Sequence, residues 1–184
     1  MTVTLPEGLT VGTYTIDPSH SEVGFVARHA MVTKVRGRFT DVEGTLTFAE
    51  GTPVPASAEA KIAVASVTTG AEDRDAHLKS ADFFDAEKYP YITFKSTGVR
   101  MEGGDYLLDG DLTIKDVTKP VTLKVEFGGV ATDPFGNARA GFSAEVDVER
   151  EEWGLTWNAA LETGGVLVSK KIKLVLDVSA IKQA

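Results

Sequence analysis

Apolar and polar residues alternate one for one in segment after segment of this chain, most strictly in its C-terminal half. Leu108, Gly110, Leu112 and Ile114 interleave with Asp109, Asp111, Thr113 and Lys115, and Val121, Leu123, Val125 and Phe127 interleave with Thr122, Lys124 and Glu126. Phe142, Ala144, Val146 and Val148 do the same, as do Ile172, Leu174, Leu176 and Val178. A period of two is that of a β-strand, whose side chains point alternately to its two faces. One dry and one wet face per strand marks an antiparallel sheet, because a parallel sheet covered by helices is apolar on both faces.

Earlier segments keep the rule more loosely: Tyr14 and Ile16; Val23 and Phe25; Val35, Gly37 and Phe39; Leu46 and Phe48; Ala58, Ala60, Ile62 and Val64; Ile92 and Phe94. Turn chemistry separates them at Asp17-Pro18, Gly51-Thr52-Pro53, Gly103-Gly104-Asp105, Gly128-Gly129, Asp133-Pro134-Phe135-Gly136-Asn137 and Gly164-Gly165. The expectation is an all-β fold: a single antiparallel up-and-down barrel of about eight strands, several of them about ten residues long. One interruption reads as a short α-helix. Thr69 with Glu72 makes a capping box, and Arg74, Leu78, Ala81 and Phe84 or Asp85 keep helical spacing until Tyr89-Pro90 stops it. With no repeats or linkers, residues 1–184 read as one domain.

Such a barrel is just wide enough to be filled by its own side chains or to hold one small ligand. Periodicity does not decide between a solid core and a cavity. It does decide that a void, if present, is lined by Val, Ile, Leu, Phe and Ala. Composition then removes other chemistries. The chain has 184 residues, no cysteine and a net charge of −8, so thiolate catalysis and Cys-ligated metal centres are out. The acidic balance argues against nucleic acid and against attraction to anionic membranes. No stretch reaches the roughly 20 apolar residues of a membrane span, so no stable membrane insertion is expected. The opening MTVTLPEGLTVGTYTIDPSH has no basic, apolar leader pattern, and the expectation is a cytoplasmic protein.

Longer motifs carry a resemblance. Tyr14-Thr15-Ile16-Asp17-Pro18-Ser19-His20-Ser21 is followed by Phe25, His29, Gly37 and Phe39. Asp73 to Asp85 reads DRDAHLKSADFFD, then come Tyr89-Pro90 and Phe94-Lys95-Ser96. Gly110 to Val121 reads GDLTIKDVTKPV, and Trp153-Gly154-Leu155 precedes the last strand. Over about residues 14–181 the chain resembles the YceI-like, polyisoprenoid-binding proteins. The resemblance implies a barrel extended relative to lipocalins, with a lid-like helix and an interior for a polyisoprenoid, an isoprenoid quinone or a fatty-acyl lipid, and with no other cofactor required. Two places differ from the family pattern: Arg150-Glu151-Glu152-Trp153-Gly154, with Trp for the usual Phe, and Lys115-Asp116, where Gly is frequent.

Candidate residues follow. Phe25, Phe39, Phe94, Leu112, Ile114, Phe142 and Trp157 are candidate cavity walls, with plain core packing as the competing role. Phe83 and Phe84, with Asp73, Arg74 and His77, are candidates for the lid and mouth, His77 being expected to pair with Asp73 one turn away. Asp17, His20, Ser21 and His29 read as polar braces; His20 and His29 on one extended strand cannot reach a common metal, and no metal is assigned. Three functions stay open: a binding protein for a small apolar ligand, an enzyme using His20, Asp73, Arg74 and His77 at the barrel mouth, and a solid-cored interaction module. No catalytic residue is assigned, and a homodimer is compatible with the sequence.

Overall fold

The computed structural model describes residues 10–30, 32–49, 57–102, 105–155 and 169–183. Its strands are β1 (Gly12–Ile16), β2 (Glu22–His29), β3 (Thr33–Phe39), β4 (Val42–Phe48), β5 (Ser57–Ala63) and β6 (Val67–Thr68), then, after helix α1 (Glu72–Lys79), β7 (Tyr91–Glu102), β8 (Asp105–Ile114), β9 (Val117–Thr132), β10 (Ala138–Glu149) and β11 (Lys171–Lys182). The order β1-β4-β5-β7-β8-β9-β10-β11 closes through a β1–β11 pairing into an eight-stranded antiparallel barrel.

The three strands outside that ring, β2, β3 and β6, are continuations of ring strands. Both β2 and β1 lie along the same edge of β11, the first against Lys173–Asp177 and the second against Ala180–Lys182. Likewise β3 pairs with β2 where β4 pairs with β1, and β6 pairs with β3 where β5 pairs with β4. The first three staves of the barrel are thus each bent once, and the bends at 17–21, 40–41 and 64–66 lie side by side as a crease.

The chemistry of the crease is local. Pro18 lacks an N–H, and Asp17 caps the 3-10 turn Pro18–His20 by accepting from the Ser19 N–H at 3.0 Å. Ladder bonds lost there are replaced by Ser21, whose Oγ accepts from Ser179 N at 2.9 Å and donates to Ser179 O at 3.2 Å. Across the next strands Ala63 N donates to Asp41 O at 3.0 Å and Thr40 N to Ser66 O at 3.3 Å. Every broken register therefore keeps backbone partners, as buried amides must.

Bending carries β6 away from β7, and residues 69–90 fill the opening. The helix is shorter than the spacing suggests. It ends at Lys79, because Ser80 leaves the helical region with a ψ of 172°, and the chain turns again at Asp85, whose φ is 50°. Nor does Thr69 cap it: the N-cap is Ala71, and Asp75 reaches back to accept from Thr69 N at 2.8 Å and Thr69 Oγ1 at 2.6 Å. Burial pushes the Asp75 carboxyl up, but these Thr69 hydrogen bonds outweigh it and hold the group below its usual value. At the β8–β9 turn, Lys115 and Asp116 both take positive φ, 52° and 61°, a conformation that two-residue hairpins need and that Gly adopts without strain.

Candidate functional site

The two halves of the barrel interior are packed differently. On the β9–β10 side of the crease, Tyr14, Phe48, Phe142 and Phe127 form a chain of rings. Tyr14 meets Phe48 edge-on at 5.1 Å, Phe48 stacks on Phe142 at 5.4 Å, and Phe127 tilts against Phe142 at 5.4 Å. Together with Leu46, Leu108 and Ala180 they close that half.

The half beside α1 holds a cavity of about 180 Å³ with a wholly apolar wall. Strand residues Phe25, Phe39, Phe94, Leu112 and Ile114 line it, as do Leu174 and Leu176 opposite. Glycines explain why so many aromatic side chains leave a void. A Cβ on Gly37 would lie 2.2 Å from the Phe25 ring, and one on Gly110 would lie 2.4 Å from the Phe94 ring. Each ring thus lies back against the wall over a position without a side chain, instead of projecting into the lumen.

Phe83, Phe84 and the turn at Arg150–Leu155 close the α1 end. Phe83 is buried, and its ring meets the edge of the His77 ring at 5.0 Å; Phe84 stands against Phe39 at 5.8 Å, and Phe39 against Phe25 at 5.9 Å. Trp153 is 1% exposed and donates Nε1–H to Leu112 O at 3.0 Å, which pins the turn near the C-terminal end of β8. Arg150, only 6% exposed, also borders the cavity. Its Nε–H donates to Ser169 O at 2.8 Å, an Nη1–H donates to Leu155 O, and the guanidinium sits 5.8 Å from the Phe83 ring centre. Burial lowers its pKa from the usual arginine value, with Glu151 opposing the shift. Hydrogen bonds that satisfy the head leave the alkyl stem for the cavity rim.

The residues expected from sequence fall into four groups. Phe25, Phe39, Phe94, Leu112, Ile114, Phe83 and Phe84 border the cavity, whereas Phe142 stands in the aromatic floor beyond it. It is too deep because β10 enters the barrel at its filled end, opposite β11 residues Ala180 and Val178. Trp157 and the side chain of His29 lie outside the described residues.

The polar candidates stand apart from one another. Asp73 and Arg74 are exposed on α1, where Arg74 donates to Thr69 Oγ1 at 2.7 Å and to Thr69 O at 2.9 Å. His77 pairs with Asp82 at 2.9 Å instead of Asp73, since the chain turns back after Lys79 and brings Asp82 beside the ring. His20 Nδ1 lies 2.8 Å from Asp17 Oδ2 and 3.0 Å from Ser19 Oγ. Because Ser19 and Asp17 share one ring nitrogen, the trio cannot relay a proton through the imidazole as a hydrolytic triad does. Among the described residues no three His, Asp or Glu side chains gather in a metal-binding group.

Sequence reasoning passed over two residues here. One is Arg150, legible only as part of a turn. The other is Arg139, which bridges Asp17 at 2.8 Å and Asp133 at 2.7 Å across the seam where β1 meets β11. The Arg139 hydrogen bond, aided by Ser19, holds the Asp17 carboxyl well below the usual carboxylate range. Partial burial raises Asp133, but hydrogen bonds from Asn137, Arg139 and Phe135 bring it down to about 2.

Known proteins share this architecture. The Campylobacter jejuni YCEI protein superposes with a TM-score of 0.73 at 30% identity, over 85% of this chain and 90% of that one. A polyisoprenoid binding domain from Saccharophagus degradans superposes at 0.70 over 95% of this chain and 100% of that one, and its 14% identity makes this a likeness of fold. Protein YceI of Escherichia coli is 38% identical over 172 residues, covering 92% of this chain and 87% of the relative. The sequence pattern of the YceI-like domain matches residues 14–180, and with that extent of agreement the chain belongs to the YceI-like family.

Proposed function

We propose that this protein binds one long apolar molecule, of polyisoprenoid, isoprenoid-quinone or fatty-acyl type, between the aromatic floor and the Phe83–Trp153 end. The observation that carries the reading is the apolar cavity of about 180 Å³ inside an otherwise well-packed barrel. Water gains nothing there, because a buried water needs about two to four polar partners and the wall offers none. A hydrocarbon gains about 0.8 kcal/mol per buried methylene, so ten give about 8 kcal/mol gross, micromolar binding before ordering costs. Polyisoprenoid binding by the Saccharophagus degradans domain is consistent with this use of the fold. In this reading the segment carrying α1, Phe83 and Phe84 is the cover, the protein carries or stores its ligand without transforming it, and no metal or further cofactor takes part.

Protein purified from its own host without detergent, weighed intact by native mass spectrometry and then extracted, tests this. One apolar molecule per chain is expected. A ligand-free preparation that also fails to take up an isoprenoid quinone or a fatty acid at micromolar concentration would refute the reading.

A further inference from the structure

Between Glu22 and Asp41 the sequence contains no acidic residue, yet it contains Arg28, Lys34, Arg36 and Arg38, in a chain of net charge −8. All four are exposed. On β3 they alternate with Val35, Gly37 and Phe39, so Lys34, Arg36 and Arg38 share the outer face of the barrel. Register adds the rest: Arg28 on β2 is directly opposite Lys34, Val26 is opposite Arg36, and Gly24 is opposite Arg38. In the row of Val26 and Arg36, β11 contributes Lys173.

None of the four hairpin cations makes an ion pair among the described residues, although Arg100, Arg139, Lys170 and Lys171 all do. Acidic neighbours lie around the patch, not in it. Asp147 and Glu149 on β10 face Lys173 and Lys171, and Glu22 and Asp177 face each other at the crease end. Like charges placed opposite one another, as Arg28 and Lys34 are, work against the fold. A partner of opposite charge removes that repulsion.

The hairpin has three further properties. Its turn presents Val32, 79% exposed, between Arg28 and Lys34. Its inner face supplies Val23, Phe25, Ala27 and Phe39 to the cavity. On its outer edge, β6 covers only Arg38 and Phe39, so Thr33–Gly37 has no strand beyond it among the described residues.

We infer that the outer face and tip of the β2–β3 hairpin dock on an anionic phospholipid bilayer. Cations meet the headgroups, Val32 enters the interfacial layer, and the α1 end of the cavity is held at the membrane. Docking itself stands on charge and exposure; its purpose, exchange of an apolar ligand with the bilayer, rests on the function proposed above. A net charge of −8 does not prevent it, because at physiological salt charges farther away than about 8 Å are largely screened and the nearest patch dominates. An exposed apolar tip among cations, on the hairpin that also walls the apolar cavity, favours a bilayer over an acidic protein.

The test is sedimentation of the full chain with vesicles of phosphatidylcholine alone or mixed with phosphatidylglycerol. Uptake of a fluorescent fatty acid is measured on the same samples. Binding is expected only with phosphatidylglycerol, and each removed cation should weaken it about fivefold, so the Arg36→Gln, Arg38→Gln pair loses roughly 25-fold. A Val32→Trp variant should shift its emission to the blue on those vesicles alone. No binding at low salt, binding indifferent to the paired variant, or displacement by poly-glutamate at lower charge concentration than the vesicles supply would overturn the inference. If docking is lost while fatty-acid uptake persists, only the docking surface fails; if uptake is absent while docking persists, the cavity reading fails instead.

Discussion

Whether the barrel is hollow in solution is decided by the sign of one stability change. Ala60, on β5, borders the cavity beside Phe94, its partner across the ladder. Replacing it with Leu adds three carbons that point into the lumen. If the space of about 180 Å³ is open, those carbons move from water into an apolar setting, worth at most about 2.4 kcal/mol at 0.8 kcal/mol each. Imperfect fit reduces this to about 1–2 kcal/mol, or roughly 3–6 °C in Tm for a domain of this size. The same carbons displace about three methylenes of ligand, so affinity should fall about 50-fold. In a solid core, extra carbons overpack, and Ala60→Leu would cost about 1–3 kcal/mol. Thermal and urea unfolding of the delipidated protein, together with titration of a fluorescent fatty acid, reads both quantities. Destabilisation with unchanged affinity would refute the hollow barrel; stabilisation with weakened binding would support it.

Gly110→Ala tests why the lumen is open: its Cβ would lie 2.4 Å from Phe94, so the ring must swing inward. Weaker ligand binding and a loss of about 1–3 kcal/mol are expected; adding Phe94→Leu should restore the binding but only part of the stability, because the 2.8 Å approach to Lys95 O remains, as followed by ligand titration and urea unfolding. Arg139→Gln removes the shared partner of Asp17 and Asp133. Both carboxyls have depressed folded-state pKa values, so their stabilisation is complete above their ordinary value of 3.8 and disappears as pH falls through the lowered values, about 2 for Asp133. The Tm gap between wild type and variant should therefore be widest near neutrality and narrow below pH 3.8 towards about 2; a gap constant with pH would show that the arginine acts by packing alone.

Sequence alternation made the staves of the barrel legible, because one side of every strand faces an apolar interior and a slip by one residue would expose it. It did not reveal that three staves are bent. Asp17-Pro18 reads as a turn between separate strands, and only the pairing of both β1 and β2 with β11 shows one strand continuing past the interruption. The helix was legible as an interruption but overextended, since Arg74, Leu78, Ala81 and Phe84 keep helical spacing, whereas Ala81 is exposed and the burial of Phe83 is governed by the barrel end it covers. His77 was matched to Asp73 by helical geometry, and the reversal after Lys79 supplied Asp82 instead. Hydrophobic inward positions were readable as inward. Their depth was not, because depth depends on how neighbouring strands are staggered, and this is why Phe142 belongs to the floor and Phe94 to the wall.

Those unread features together make the two ends of the cavity unlike among the described residues. A straight eight-stranded barrel could have been sealed alike at both ends by its own side chains. Here the crease diverts β6 from β7, and the opening is covered by α1, whose eight residues include no buried side chain, with Phe83 and Phe84 following it. Tyr14, Phe48, Phe142 and Phe127 fill the opposite half, held by strands paired on both sides. Opening the floor would break ladder hydrogen bonds and separate stacked rings; moving the cover disturbs a short helix whose segment packs on the barrel through Leu78, Phe83 and Phe84. The less costly route into the void runs past α1, beside the hairpin that carries the cationic face.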